Sequence, residues 1–123
     1  MNVTTPISDE LTKYLDLSST ELKLTGQNMA NIDTPGYRTV GFDFTDAMKH
    51  AMSDALGARS GSTLAASEVP IGEVDGLLER PDGNNVSMDR EGLNMAEAQL
   101  QFRTGIELLR RENTRVMDAI HAN

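Results

Sequence analysis

Residues 8–32 carry apolar and small side chains in a four-three spacing, the first of two such stretches in the chain. The row comprises Leu11, Leu15, Ser18, Leu22, Thr25, Met29 and Ile32. Because this spacing returns to one face of a helix, it predicts an N-terminal helix with Ser8 as N-cap. A second row beside it, formed by Tyr14, Leu17 and Leu24, makes the apolar surface wider than one partner helix covers.

The same spacing returns in a longer stretch towards the C-terminus. Its row comprises Met88, Gly92, Met95, Gln99, Phe102, Ile106, Leu109, Asn113, Val116 and Ile120. With Ser87 as N-cap, the pattern predicts a helix over residues 87–122 that is roughly 50 Å long. The polar residues Gln99 and Asn113 inside the row are predicted to set the register of helix packing.

The chain is predicted to turn directly after the first helix. Asn31 is typical of the left-handed residue that ends a helix, and Thr34 is biased to an extended conformation by the proline after it. Pro35-Gly36 is typical of the centre of a type II turn. The sequence therefore predicts a sharp change of direction between residues 31 and 37.

The rest of the middle segment carries weaker patterns. Alternation of Val40, Phe42 and Phe44 predicts a short extended piece, and Thr45 is the predicted cap of a short helix that runs to Leu56 and ends at Gly57. Residues 57–70 are small, polar and aperiodic, which is the composition of a mobile loop. Turn dipeptides on either side of Leu77-Leu78 indicate a small hairpin.

These elements predict a mainly α fold. We expect an elongated, coiled-coil-like antiparallel pair of N- and C-terminal helices, joined over residues 33–86 by a largely irregular segment with a short extended piece. With 123 residues the chain has the size of one domain, so a single unit over residues 1–123 is expected. Because a lone helix pair buries only one of its apolar surfaces, the remainder indicates an interaction site.

Charge and composition exclude several classes of protein. The net charge of −8 argues against nucleic-acid binding, which needs clustered Lys and Arg. The chain has no Cys, so disulfides and thiolate chemistry are excluded. Residues 1–10 resemble no secretion signal, and no apolar run approaches the length of a membrane span. We therefore expect neither a cleaved signal peptide nor a direct membrane span.

No constellation of residues indicates catalysis. Neither a nucleophile with a base, nor a metal cluster, nor a phosphate loop can be assembled, so no enzyme activity, metal or cofactor is predicted. The stretch Asp82–Asp89 departs from a calcium loop at Val86 and Ser87. The basic residues near the C-terminus form either a solvated face or a contact with acidic surface of an adjacent copy. They are Arg110, Arg111 and Arg115.

The ten residues Asn28–Tyr37, which read Asn-Met-Ala-Asn-Ile-Asp-Thr-Pro-Gly-Tyr, resemble the N-terminal signature of the flagellar axial proteins. This family comprises the rod, hook and hook-associated subunits of the bacterial flagellum. Two C-terminal segments, Asp82–Val86 and Ala98–Phe102, are similar to the corresponding region of a small rod subunit. The resemblance anchors most of the chain except residues 46–80.

The resemblance implies a structural subunit of the basal-body rod, of the proximal type, which assembles through its terminal helices into the drive shaft for motility. Implied partners are copies of itself and other rod proteins, the MS ring, the adaptor between ring and rod, and the type III export apparatus. The implied location is the rod in the periplasmic space. Another small rod subunit, or a helical adaptor or export chaperone, remains the alternative.

The assembly interface is predicted to draw on the two rows and on the turn. The candidate residues are Leu11, Leu15, Leu22, Asn28, Met29, Asn31, Pro35, Gly36, Tyr37, Phe102, Ile106, Leu109, Val116 and Ile120. In this hypothesis the apolar members pack against neighbouring helices, and the turn fixes the angle at which the chain leaves the first helix. Tyr37 is expected to present a ring with a polar tip to a neighbour.

Overall fold

The computed structural model describes residues 5–59 and 69–122, and it leaves the side chains of Ala58 and Arg59 undescribed. The elements in chain order are α1 (Pro6–Ala30), β1 (Val40–Gly41), α2 (Phe44–Arg59), β2 (Gly72–Glu73) and α3 (Met88–His121). The long terminal helices α1 and α3 pack against each other, α2 packs on α1, and the strands form a two-stranded antiparallel sheet. The predicted mainly α fold is confirmed.

Helix α1 begins earlier than predicted. Its N-cap is Thr5, whose Oγ1 accepts a hydrogen bond from the Ser8 backbone N–H at 3.1 Å, so the prediction of Ser8 as cap was wrong. Pro6 follows directly, and its fixed φ suits the first helical position, where no N–H donor is needed. At the start of α3, Ser87 is the N-cap as predicted, because its side chain accepts a hydrogen bond from the Arg90 N–H.

The α1–α3 interface is centred on small and polar side chains. On α3, every seventh residue is buried, in a row formed by Glu91, Ala98, Gly105 and Glu112. The buried residues of α1 are Leu17, Ser18, Leu24, Thr25 and Asn28. Spacing of seven keeps one line of the helix against its partner over many turns. The helices are in close contact at Gly105, where an added Cβ would lie 2.8 Å from Leu15 Cδ2.

The predicted α3 row was half right. Met95, Phe102, Leu109 and Val116 are half-buried, each four residues after a member of the buried row. Ile106 is half-buried as well, whereas Met88, Gly92 and Ile120 are exposed. Gln99 and Asn113, expected to set the register, are also exposed. The buried polar residues of α3 are Glu91 and Glu112 instead.

The middle segment departs from the prediction in three places. The extended piece is only β1, because Phe44 already begins α2, and Asp43 Oδ1 rather than Thr45 accepts from a first-turn N–H, that of Asp46 at 2.9 Å. Helix α2 continues through Gly57 to Arg59. No hairpin forms around Leu77-Leu78.

Strand β1 pairs instead with β2, with Val40 opposite Glu73 and Gly41 opposite Gly72. Part of the predicted loop, residues 60–68, lies outside the described residues. No helix in the two described ranges has both the length and the apolar character required to span a bilayer.

Candidate functional site

The side chain of Asn28 joins α1 to the extended segment and to α3. Its Nδ2 donates to the Val40 carbonyl at 2.8 Å and to Glu91 Oε2 at 3.1 Å. Its Oδ1 accepts from the Val40 N–H and from the Tyr37 hydroxyl, both at 3.0 Å. An asparagine amide offers two donor hydrogens and two acceptor lone pairs, so all four are used at a side chain that is buried.

The turn after α1 is held from the C-terminal half of the chain. The Tyr37 N–H donates to the Thr34 carbonyl at 3.2 Å, and Gly36 has φ +73°, as the predicted type II turn requires. Asn84 Nδ2 lies 2.9–3.0 Å from the carbonyls of Asn31, Ile32 and Thr34. Asn84 is fully buried, and its side-chain amide donates to carbonyls that the end of α1 leaves without helical partners.

Asn31 ends the helix without the predicted left-handed conformation. Its φ and ψ are −103° and 17°, and its Nδ2 donates to the Gln27 carbonyl at 2.8 Å. Asn31 thus ties off a helix-end carbonyl, whereas Asn28 binds the β1 backbone. Within the described part of the chain the left-handed residues are glycines, among them Gly36 and Gly83.

Gly36 and Gly83 bring two turns into contact. A Cβ added to Gly83 would lie 3.3 Å from Gly36 Cα, and the Gly36 N–H donates to the Asp82 carbonyl at 2.9 Å. Next to them, Asn85 Oδ1 accepts from the buried Thr39 N–H at 2.7 Å. The stretches Asn28–Tyr37 and Asp82–Val86 therefore form one structure, which we call the motif junction.

A second polar contact closes the far end of the helix pair. The Thr5 hydroxyl, besides capping α1, donates to Glu112 Oε1 at 2.8 Å, and Arg115 Nε and Nη2 donate to the same carboxylate at 3.1 and 3.0 Å. The hydrogen bonds from Arg115 and then from Thr5 lower the pKa of Glu112. Asn28–Glu91 at one end and Thr5–Glu112 at the other fix the antiparallel register of α1 and α3.

A cleft of about 450 Å³ opens beside the motif junction, between α1, the sheet and the start of α3. We call it the acidic cleft, because its charged lining consists of Glu21, Asp43, Glu73, Arg90 and Glu91. Burial and then the charge of Glu97 raise the pKa of Glu21, whose Oε2 is buried without a hydrogen-bond partner. The cleft thus carries an excess of negative charge.

The side of α3 that faces away from α1 carries two exposed leucines. Leu93 and Leu100 are 69 and 66% exposed. They are seven residues apart and, at 3.6 residues per turn, fall on the side opposite the buried row, whereas Leu108 follows Gly105 by three residues and borders that row. We call Leu93 and Leu100 the outer leucine row.

The predicted assembly residues divide by exposure. Asn28 is buried, and Pro35, Gly36 and Ile120 are exposed. The other ten are half-buried: Leu11, Leu15, Leu22, Met29, Asn31, Tyr37, Phe102, Ile106, Leu109 and Val116. The Tyr37 hydroxyl, expected to meet a neighbour, is bonded to Asn28 within the chain, where burial chiefly raises its pKa.

Three buried polar residues of the site escape a search based on apolar spacing. Asn84 lies in an irregular stretch, and Glu91 and Glu112 are charged residues of a type rarely found inside. One signal was available, since Glu91, Ala98, Gly105 and Glu112 repeat every seven residues. The outer leucine row is missed because it belongs to neither predicted row.

The fold and the motif junction define a structural protein, in which the polar side chains that mark the sequence bind the chain's own backbone and fix the geometry of two terminal helices. The sequence is 32% identical over 108 residues to the flagellar basal body rod protein FlgB of Yersinia enterocolitica, covering 77% of this chain and 79% of that protein. FlgB of Cereibacter sphaeroides is 30% identical over 111 residues, with 86 and 87% covered. No family model matches the chain.

The chain belongs to the FlgB family of flagellar basal body rod proteins. FlgB of Salmonella typhimurium has the same identity, 32%, over 77% of the chain. These similarities agree with the resemblance at Asn28–Tyr37 and favour a structural rod subunit over an adaptor or chaperone. A rod component assembles with other flagellar proteins, so the surfaces that the helix pair leaves exposed are the candidates for contacts between subunits.

Proposed function

We propose that the chain is a subunit of the proximal rod whose α1–α3 pair lies in the wall of a tubular assembly, with the outer leucine row buried against helices of neighbouring subunits. The observation that carries this proposal is the exposure of Leu93 and Leu100 on a helix whose opposite face already packs against α1. Full burial of a leucine side chain contributes about 1.5–3 kcal/mol, so the two leucines of each copy contribute substantially to the association energy.

The predicted assembly residues enter this proposal in two ways. Those on α1 and α3 that stay half-buried in the chain offer their remaining surface to neighbours, next to the exposed Ile120. The turn residues Pro35, Gly36 and Tyr37 shape the motif junction and so set the direction of the chain relative to α1. Asn28 acts from inside, by holding Val40 and Glu91.

The neighbours in this proposal are copies of the chain and other rod proteins, with the MS ring and the ring–rod adaptor at the base of the structure. Support comes from family membership and from the axial-protein signature at Asn28–Tyr37. The same support extends to export through the flagellum's type III apparatus and to a final position in the periplasmic part of the rod.

Replacement of Leu100 by Asp tests the proposal. Because Leu100 lies on the outer side of α3, Leu100→Asp leaves the α1–α3 interface intact and removes only the intermolecular contact. We expect normal cellular levels of the protein but loss of the subunit from purified basal bodies and loss of swimming. The matched control is Leu78→Asp, since Leu78 is 91% exposed and lies outside the helices.

The control variant is expected to swim and to enter basal bodies as the unmodified chain does. Circular dichroism of both purified variants checks that their helix content is unchanged. Normal basal-body incorporation of Leu100→Asp would overturn the proposal, because a row of leucines buried between subunits does not tolerate a carboxylate.

A further inference from the structure

Among the described residues that line it, the acidic cleft carries more negative than positive charge. Four carboxylates line it, those of Glu21, Asp43, Glu73 and Glu91, against the one guanidinium of Arg90. Arg90 is already engaged, because its Nη1 donates to Glu91 Oε1 at 2.7 Å. The excess charge therefore favours a cationic occupant.

Two arginines on α3 are free to serve as that occupant. Arg103 and Arg110 are exposed, and within residues 5–59 and 69–122 neither side chain has an ion pair or hydrogen bond, in contrast to Arg111, which pairs with Glu107 at 3.5 Å. They are seven residues apart, so both project from one side of α3, about 10 Å apart along its axis. We call them the arginine row.

One copy of the chain cannot bring these two features together. Arg103 and Arg110 follow Glu91 by 12 and 19 residues, or about 18 and 28 Å along a rigid helix. Arg103 also lies nine residues after Asn94, which lines the cleft. Nine residues are two and a half helical turns, so the arginine row faces away from the cleft.

We propose that the acidic cleft receives the arginine row of a second copy of the chain. This proposal rests on the proposed function and deepens it by naming one contact between copies. The contact joins two different surfaces, which face opposite ways and are offset along the helix axis. A contact of this kind does not close into a two-fold dimer but repeats from copy to copy, as a helical or tubular assembly requires.

Arginine suits the cleft for chemical reasons. A guanidinium presents a planar set of N–H donors that binds a carboxylate through two hydrogen bonds. Glu73 is an accessible carboxylate that can accept it, because 63% of its side chain is exposed and its distance to Arg38 Nε is 3.8 Å, which is long for an ion pair.

Disulfide crosslinking tests the contact directly, because the chain has no cysteine of its own. The variant with Glu73→Cys and Arg110→Cys is expressed in cells, and basal bodies are purified and treated with a mild oxidant. We expect disulfide-linked dimers and longer chains on a non-reducing gel. Neither single-cysteine variant should give them, since the proposed contact pairs two different surfaces.

Charge exchange provides a second test that does not depend on crosslinking. Arg110→Glu should lower incorporation into basal bodies about tenfold or more, because like charges then face each other in the contact. Combining it with Glu73→Arg should restore most of the loss. The matched control is Arg111→Glu, at the neighbouring position outside the arginine row, which should be incorporated normally.

Two results would overturn this proposal. One is the absence of crosslinked species from the double-cysteine variant in basal bodies that contain it, and the other is normal incorporation of Arg110→Glu. Failure of this contact is distinguishable from failure of the proposed function. If Arg110→Glu assembles while Leu100→Asp does not, the proposed rod subunit is supported and the proposed cleft contact is refuted.

Discussion

Asn28 on α1 and Glu91 on α3 are joined by a 3.1 Å hydrogen bond between side chains that are both buried. They are 63 residues apart in the chain. The bond connects the N-terminal signature of the axial proteins with the beginning of the C-terminal helix. Since Asn28 also holds both polar backbone groups of Val40, this one side chain fixes the helix pair and the direction of the extended segment together.

Replacement of Asn28 by Asp should destabilise the chain through this contact. The carboxylate keeps the acceptor for Val40 and Tyr37 but loses both donor hydrogens and sets a second negative charge against Glu91. We expect a loss on the order of 3 kcal/mol in the free energy of unfolding, measured by urea titration of the helical circular dichroism signal.

Adding Glu91→Gln to that variant should recover part of the loss. The Gln amide can donate to the new carboxylate, which reverses the roles of donor and acceptor across the α1–α3 interface. Asn113→Asp is the matched control for Asn28→Asp, because Asn113 is exposed on α3 and its replacement should change stability by less than about 0.5 kcal/mol. Additive effects of the two changes at 28 and 91 would contradict the contact.

The two glycines of α3 give a second prediction. A Cβ added to Gly92 meets no heavy atom within 4 Å, whereas one added to Gly105 would lie 2.8 Å from Leu15 Cδ2 and 3.0 Å from Tyr14 Cδ1. Gly92→Ala should therefore stabilise the chain by about 1 kcal/mol, the difference in helix propensity. Gly105→Ala should gain less, because Leu15 must move.

Gly105→Leu should cost about 1–3 kcal/mol, since a larger side chain cannot fit against Leu15 and Tyr14 without displacing them. The stabilities of the three variants are ranked by their thermal unfolding midpoints, followed by circular dichroism at a helical wavelength. Equal stabilisation by Gly92→Ala and Gly105→Ala would show that α1 and α3 are not in contact at this position.

The long helices were predictable because each carries a periodic signal over many turns, and the class of fold follows from them. The capping residues were predictable only in part. Ser87 caps α3, but the N-cap of α1 is Thr5 and not Ser8, because Pro6 occupies the first helical position. Both Thr5 and Ser8 can cap a helix, and the proline favours Thr5, the residue directly before it.

The pairing of β1 with β2 could not be predicted from the sequence. Each strand has two residues, too few for an alternation to be recognised, and the contact spans the whole of α2. The buried row of α3 shows a different limit. Glu91 and Glu112 are placed inside by partners on distant segments, Asn28 and Thr5, and no local pattern reveals those partners.

The contact between Thr5 and Glu112 makes stability depend on pH in a defined direction. Hydrogen bonds from Arg115 and Thr5 lower the pKa of the Glu112 carboxyl in the folded chain below its ordinary value of 4.5. A carboxyl of this kind stabilises the folded state above its unfolded pKa, and the contribution is lost as the pH falls from about 4.5 through the lowered folded value. The loss therefore falls in the acid range and leaves neutral pH unaffected.

Glu112→Gln should remove this dependence. The amide can still accept from Thr5 but does not titrate, so the variant should be less stable than the unmodified chain at neutral pH and approach it in stability as the pH falls through the lowered pKa of Glu112. Urea midpoints measured between neutral and acid pH test the convergence. Glu107→Gln is the matched control, because Glu107 forms an exposed pair with Arg111 on the outer side of the same helix. A constant difference between Glu112→Gln and the unmodified chain at every pH would show that the Glu112 carboxylate does not hold the start of α1.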